Sequence, residues 1–134
     1  MAILVVAAGV AALALWLENP SASDAAGAPE KCGGVSVDIV GTGERDRLRG
    51  DGLRNGIAGL GGQDRLIGAQ NRDGLCGGQR GDVLSGGRGR DKLIGGAGPD
   101  VLRGGLAADV LIGGPGRDKC LGGSGPGNDR VRSC

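Results

Sequence analysis

Beyond Gly41 the large aliphatic residues recur nine apart: Leu48, Ile57, Leu66, Leu75, Leu84, Leu93, Leu102 and Leu111, with Cys120 and, after a two-residue insertion, Val131 continuing the row. A helix face would place apolar residues three and four apart, and a half-buried strand would alternate them. Here each aliphatic sits in a strand-like triplet that follows six glycine-rich polar residues, so the pattern predicts a loop and then a short strand in every nonapeptide. One inward side chain per repeat predicts a thin core between two parallel sheets. With two repeats per coil, residues eighteen apart stack at about 4.8 Å, and ten repeats give five coils, a rod of roughly 24 Å.

The polar positions keep the same beat. Asp46, Asn55, Asp64, Asp73, Asp82, Asp91, Asp100, Asp109 and Asp118 stand at the sixth place of successive repeats, and residues 86–94 (GGRGRDKLI) and 95–103 (GGAGPDVLR) both read G-G-x-G-x-D-x-U-x, with U a large aliphatic. Glycines at the first, second and fourth places are expected to take positive φ and turn carbonyl oxygens inward. Stacked loops then offer carbonyls and aspartates, an all-oxygen cage suited to a hard cation such as calcium. With no cation, neighbouring carboxylates about 4.8 Å apart repel by about 0.9 kcal/mol per pair even at the dielectric of water. The candidate ligands are Asp64, Asp82, Asp91, Asp100, Asp109 and Asp118, with the backbone carbonyls of Gly77, Gly86, Gly95, Gly104 and Gly113.

Alternate repeats form two columns of loops. The first (GTGERD, GLGGQD, GGQRGD, GGAGPD, GGPGRD) keeps every aspartate; the second (GDGLRN, GAQNRD, GGRGRD, GGLAAD, then GGSGPGND) has Asn55 in place of one and lacks several glycines. Calcium is therefore expected mainly in the first column and in the C-terminal part of the second. Arg54, Arg72 and Arg90 stack beside the second column's aspartates. Either these arginines substitute for the cation there, or they are simply solvated.

Composition narrows the chemistry. The chain of 134 residues has 32 glycines, no histidine, no Phe or Tyr and a single Trp. Histidine-based nucleophile systems and imidazole general bases are excluded, and the repeats lack a platform on which nucleic-acid bases could stack. Collagen would need glycine at every third residue. No phosphate-binding G-x-x-x-x-G-K-[ST] loop occurs. Arg80-Gly81-Asp82 spells an integrin-type tripeptide, but Asp82 already belongs to the repeat.

Residues 1–27 are expected to be a signal peptide or N-terminal anchor: residues 3–17 form an apolar run, followed by a small polar stretch suited to cleavage after Ser23 or Gly27. The run is short for a membrane span, so no stable membrane anchor is expected. Residues 28–40 are then a linker and N-terminal cap, and residues 41–134 the repeat domain. Four cysteines in an exported chain suggest two disulfides. Of the three connectivities, Cys32 with Cys76 and Cys120 with Cys134 is favoured, because it staples each open end of a solenoid.

The two perfect nonapeptides, the cysteine before Gly41-Thr42-Gly43, the Leu-Cys-Gly-Gly at residues 75–78 and the last-residue Cys134 resemble the hemolysin-type calcium-binding (RTX) nonapeptide repeat family, in its small exported actinobacterial form. The resemblance covers residues 32–134. It implies an all-β, right-handed parallel β-roll that binds calcium in its loops. It also implies no enzyme activity, since in large members of the family catalysis belongs to a separate domain. Repeats of that family are usually acidic, whereas this chain carries 16 Lys and Arg against 15 Asp and Glu.

The expected function is thus an exported calcium-binding roll, secreted or held at the cell envelope, that folds on meeting calcium and serves a structural or surface-interaction role. The alternative is a metal-independent solenoid whose repetitive face binds an extended ligand, a glycan or ice. Calcium ions are the expected partner, nucleic acid is not, and the sequence leaves a protein or glycan partner unidentified.

Overall fold

A computed structural model describes residues 29–134; the expected signal segment lies outside the described residues. Two parallel sheets face each other. One contains β4 (Arg47–Arg49), β6 (Arg65–Ala69), β8 (Val83–Arg88), β10 (Val101–Leu106) and β12 (Lys119–Gly123) in that order. The other contains β3 (Ile39–Val40), β5 (Gly56–Leu60), β7 (Gly74–Gln79), β9 (Lys92–Ala97), β11 (Val110–Ile112) and β13 (Arg130–Arg132). The chain visits the sheets alternately, so the molecule is a β-solenoid of about five turns, consistent with a β-roll.

Register follows the aliphatic beat. Leu66 pairs with Leu84 and Leu84 with Leu102, eighteen residues apart, as do Leu75 with Leu93 and Leu93 with Leu111. The last step is twenty residues, Leu111 to Val131, because the insertion in GGSGPGND lengthens one loop without breaking the pairing. Ile57, Leu66, Leu75, Leu84, Leu93, Leu102 and Leu111 are completely buried and form the core cluster, with Ile39, Leu48 and Cys120 partly buried against it. Each buried Leu or Ile contributes about 1.5–3 kcal/mol, and here they stand in single file. Val131 departs from the expected row. It is 48% exposed, because β13 is an edge strand of its sheet among the described residues.

The strands are longer than the expected triplets. β8, β9 and β10 each run six residues, through the first two glycines of the following repeat, because the pairing continues there: Gly78 opposite Gly96 and Gly87 opposite Gly105. The glycine-rich loop therefore shares its opening with the sheet.

A small antiparallel hairpin, β1 (Lys31–Cys32) with β2 (Val35–Ser36), packs against β5 and β7. It fits there because Gly56 and Gly74 have no side chains: a Cβ on either would run into the Ser36 or Cys32 carbonyl. The hairpin is fastened by a disulfide from Cys32 to Cys76, and the other end by one from Cys120 to Cys134, with Cα–Cα distances of 5.8 and 5.9 Å. Both expected pairings are present. They close loops of 44 and 14 residues, and chain entropy assigns them about 4 and about 3 kcal/mol. Replacing Cys32 and Cys76 together by serine should therefore lower the thermal midpoint more than replacing Cys120 and Cys134. Circular dichroism melts of the two variants check this; equal losses would show that the loop-closure difference does not govern their stability.

Candidate metal centre

Each repeat brings its aspartate to one edge of the coil, where the chain turns between the sheets. The fourth-place glycine allows that turn: Gly98 has φ +120°, and a Cβ there would strike the backbone of Arg80 in the coil before. The second place behaves likewise, with Gly96 at φ +108° against Gly78. Where the sequence supplies no glycine, other residues take the same conformation: Leu60, Ala69, Asn71, Arg80 and Ala107 have φ between 70 and 91°. Such residues cost about 1–3 kcal/mol each, so the stacked geometry overrides local preference.

The first-place glycine does something different from what the sequence suggests. Gly77, Gly86, Gly95, Gly104 and Gly113 have no positive φ. They are needed for space. A Cβ on Gly68 would lie 2.6 Å from Asp73 Oδ2 and 2.8 Å from the Gly86 carbonyl oxygen of the next coil. The same pair of oxygens crowds Gly59 (Asp64 and Gly77), Gly77 (Asp82 and Gly95), Gly86 (Asp91 and Gly104) and Gly95 (Asp100 and Gly113). All five expected carbonyls thus stand beside an aspartate oxygen. The missing side chain leaves a small chamber in which a carboxylate oxygen and a carbonyl oxygen converge.

The two oxygens of each carboxylate have separate roles. Oδ1 accepts a hydrogen bond from the backbone N–H one coil earlier: Asp82 Oδ1 from Asp64 at 2.8 Å, Asp91 Oδ1 from Asp73 at 2.8 Å, and Asp118 Oδ1 from Asp100 at 2.9 Å. Oδ2 of Asp64, Asp73, Asp82, Asp91, Asp100, Asp109 and Asp118 is buried with no hydrogen-bond partner. An unpartnered buried carboxylate oxygen costs several kcal/mol unless a proton or a cation meets it. Burial is the main cause that pushes Asp82 and Asp91 up to about 7 and Asp109 to about 6, with backbone hydrogen bonds opposing and neighbouring carboxylates adding to the rise. Asp64, Asp73 and Asp100 are raised for the same leading reason.

The first rung of each column is closed by the protein itself. Asp46 Oδ2 accepts from the Thr42 N–H at 2.6 Å and from the Thr42 hydroxyl at 3.0 Å. Asn55 Oδ1 accepts from the Asp51 N–H at 3.1 Å. The unsatisfied ladder therefore starts at Asp64 in one column and at Asp73 in the other.

Two expectations from the sequence change here. Asp73, left out of the candidate ligands because its loop GAQNRD lacks glycines, is fully buried and arranged like Asp91. The nine-residue beat was the signal for it; the loop glycines misled, since Ala69 and Asn71 adopt the required φ of 91 and 70°. Nor do the arginines stand in for a cation. Arg45, Arg54, Arg72, Arg90 and Arg117 are exposed, and the inward carboxylate oxygens take no hydrogen bond from them. Of these, Arg45 donates from Nη2 to Gln63 Oε1 at 2.8 Å.

Residues 77–106 and 94–131 match the family model for the RTX calcium-binding nonapeptide repeat (4 copies). No curated protein and no solved structure matches the chain.

Proposed function

We propose, for a chain that carries RTX calcium-binding nonapeptide repeats, a calcium-binding roll whose folding is coupled to the ion and which serves a structural or surface-interaction role outside the cell. The observation that carries this reading is the row of buried, unpartnered Oδ2 atoms facing carbonyl oxygens. An oxygen-only donor set with no soft ligand fits a hard divalent cation. Calcium, when bound, would supply the positive charge that these inward oxygens lack. The carboxylates of Asp64, Asp82, Asp91, Asp100, Asp109 and Asp118, and also Asp73, would hold it, together with the carbonyls of Gly77, Gly86, Gly95, Gly104 and Gly113. The first-place glycines keep the chambers open, and the backbone N–H groups fix each carboxylate by its Oδ1.

Export fits the same reading. The two disulfides suit an oxidising compartment, and extracellular calcium is abundant enough to fill weak sites. At a Kd of about 0.1 mM, millimolar calcium adds about 1.4 kcal/mol per site. The absence of histidine from the sequence removes imidazole-based catalysis.

Calcium titration followed by far-ultraviolet circular dichroism and calorimetry tests the proposal. At neutral pH strand content should rise with calcium and fall again in chelator. Strand content that ignores the chelator, with no heat of calcium binding, would favour the metal-independent solenoid.

A further inference from the structure

The exposed arginines of the second column are a cationic feature that the calcium reading leaves unused. Arg54, Arg72 and Arg90 each stand two residues before Gly56, Gly74 and Lys92, which pair in register across β5, β7 and β9. One guanidinium is thereby presented per coil, at about the 4.8 Å strand spacing. These side chains line a groove of about 280 Å³ together with Lys92, Asp73 and Asp91. Its opposite wall is the Gly33–Gly34 turn of the β1–β2 hairpin, packed so closely that a Cβ on Gly33 would lie 2.9 Å from Lys92 Cβ. The Cys32–Cys76 disulfide fixes that wall in place. Beyond Arg90 a second concavity of about 410 Å³ continues past Val110 to Arg130.

The acidic residues of the groove do not neutralise it by pairing. Oδ1 of Asp73, Asp91 and Asp109 is taken by backbone N–H groups, and Oδ2 is buried without a partner. Their carboxylates face into the coil, and the guanidinium groups are left to solvent. Guanidinium groups so arranged match planar oxyanions in bidentate fashion.

We propose that this groove binds a linear acidic polysaccharide along the long axis of the roll, with successive carboxylates of the glycan met by Arg54, Arg72 and Arg90 and the chain continuing toward Arg130. A groove one chain wide, with a comb spaced at about 4.8 Å, suits a single extended polyanion with one carboxylate per sugar ring. The described residues also contain no aromatic side chain on which bases could stack. The arginine comb does not rest on the calcium reading; only one consequence does, that cations held beneath the groove would offset the charge of Asp73, Asp91 and Asp109 and tighten glycan binding.

The test measures binding of a short oligouronate to the full chain, in whichever calcium condition gives the folded circular dichroism spectrum. The triple variant Arg54→Gln, Arg72→Gln, Arg90→Gln should weaken binding by at least about 10-fold and flatten its salt dependence, with an unchanged spectrum because all three side chains are exposed. Arg45→Gln with Arg117→Gln, on the other column, should leave affinity unchanged. Three results would overturn the proposal: no binding by the unmodified chain, equal loss in the two variants, or a charge-matched oligothymidylate bound as tightly as the oligouronate. A chain folded without calcium would remove the calcium reading and leave this test intact.

Discussion

In chelator the roll should melt at least about 10 °C lower at about pH 8 than at about pH 5, the reverse of ordinary acid denaturation. The sign follows from the direction of the aspartate shifts. Asp82 and Asp91 are raised to about 7 and Asp109 to about 6, and Asp64, Asp73 and Asp100 are raised as well. In the unfolded chain the same groups titrate at about 4. A group whose folded pKa lies above its unfolded value binds its proton more tightly when folded. Its contribution is therefore fully present below about pH 4 and is lost as pH rises through about 6–7. Physically, a protonated Oδ2 can donate toward the carbonyl oxygen that shares its chamber, whereas an ionised one faces that oxygen with no donor between them. A loss of about 2 kcal/mol would move the midpoint of a domain of this size by about 10 °C.

Saturating calcium should invert the profile. The cation needs the ionised carboxylate, so its stabilisation grows as the protons leave, and the calcium-bound midpoint should be higher at about pH 8 than at about pH 5. Thermal melts across that range, with chelator and with calcium, measure both limbs. A chelated roll that is more stable at the alkaline end would mean that the aspartate oxygens are not the unsatisfied groups they are taken to be here.

Much of this site was legible in the sequence, and the parts that were not have physical reasons. The nine-residue beat placed the seven core aliphatics and the pairing eighteen residues apart, because a solenoid stacks equivalent positions and leaves register no freedom. The disulfide pairing followed from the solenoid's open ends. Val131 fits the beat but not the core, since burial requires a neighbouring coil on both sides and periodicity alone does not reveal which strand lies at the sheet edge. The chambers were misread more subtly. Glycine permits positive φ and also lacks a Cβ, and composition cannot tell which property a position uses; only the stacked coils show that the second and fourth places need the angle as well as the space, whereas the first needs the space alone. The same ambiguity made GAQNRD look defective. The closure of Asp46 by Thr42 and of Asn55 by Asp51 was likewise hidden, since it depends on a local backbone N–H reaching an inward oxygen in the first coil.

Replacing Asp82, Asp100 and Asp118 together by Asn should remove calcium affinity from the first column and yet make the chelated protein more stable at about pH 8. Asn keeps an oxygen at the Oδ1 position to accept the N–H groups of Asp64, Asp82 and Asp100. Its amide nitrogen then occupies the place of Oδ2, facing the carbonyls of Gly95, Gly113 and Ser133, and donates to them as a protonated aspartate would. Each exchange converts an unpartnered buried acceptor into a donor, worth about 1–3 kcal/mol in the chelated state. Calorimetry should show fewer calcium ions bound, and the chelated melt should rise by about 10 °C or more. The matching triple in the second column, Asp73, Asp91 and Asp109 to Asn, should behave the same way, because those carboxylates have the same inward oxygen and the same backbone donor. A first-column loss with calcium binding intact in the second-column variant would restore the asymmetric ladder suggested by the loop glycines. Unaltered calcium affinity in both would remove the aspartates from the site.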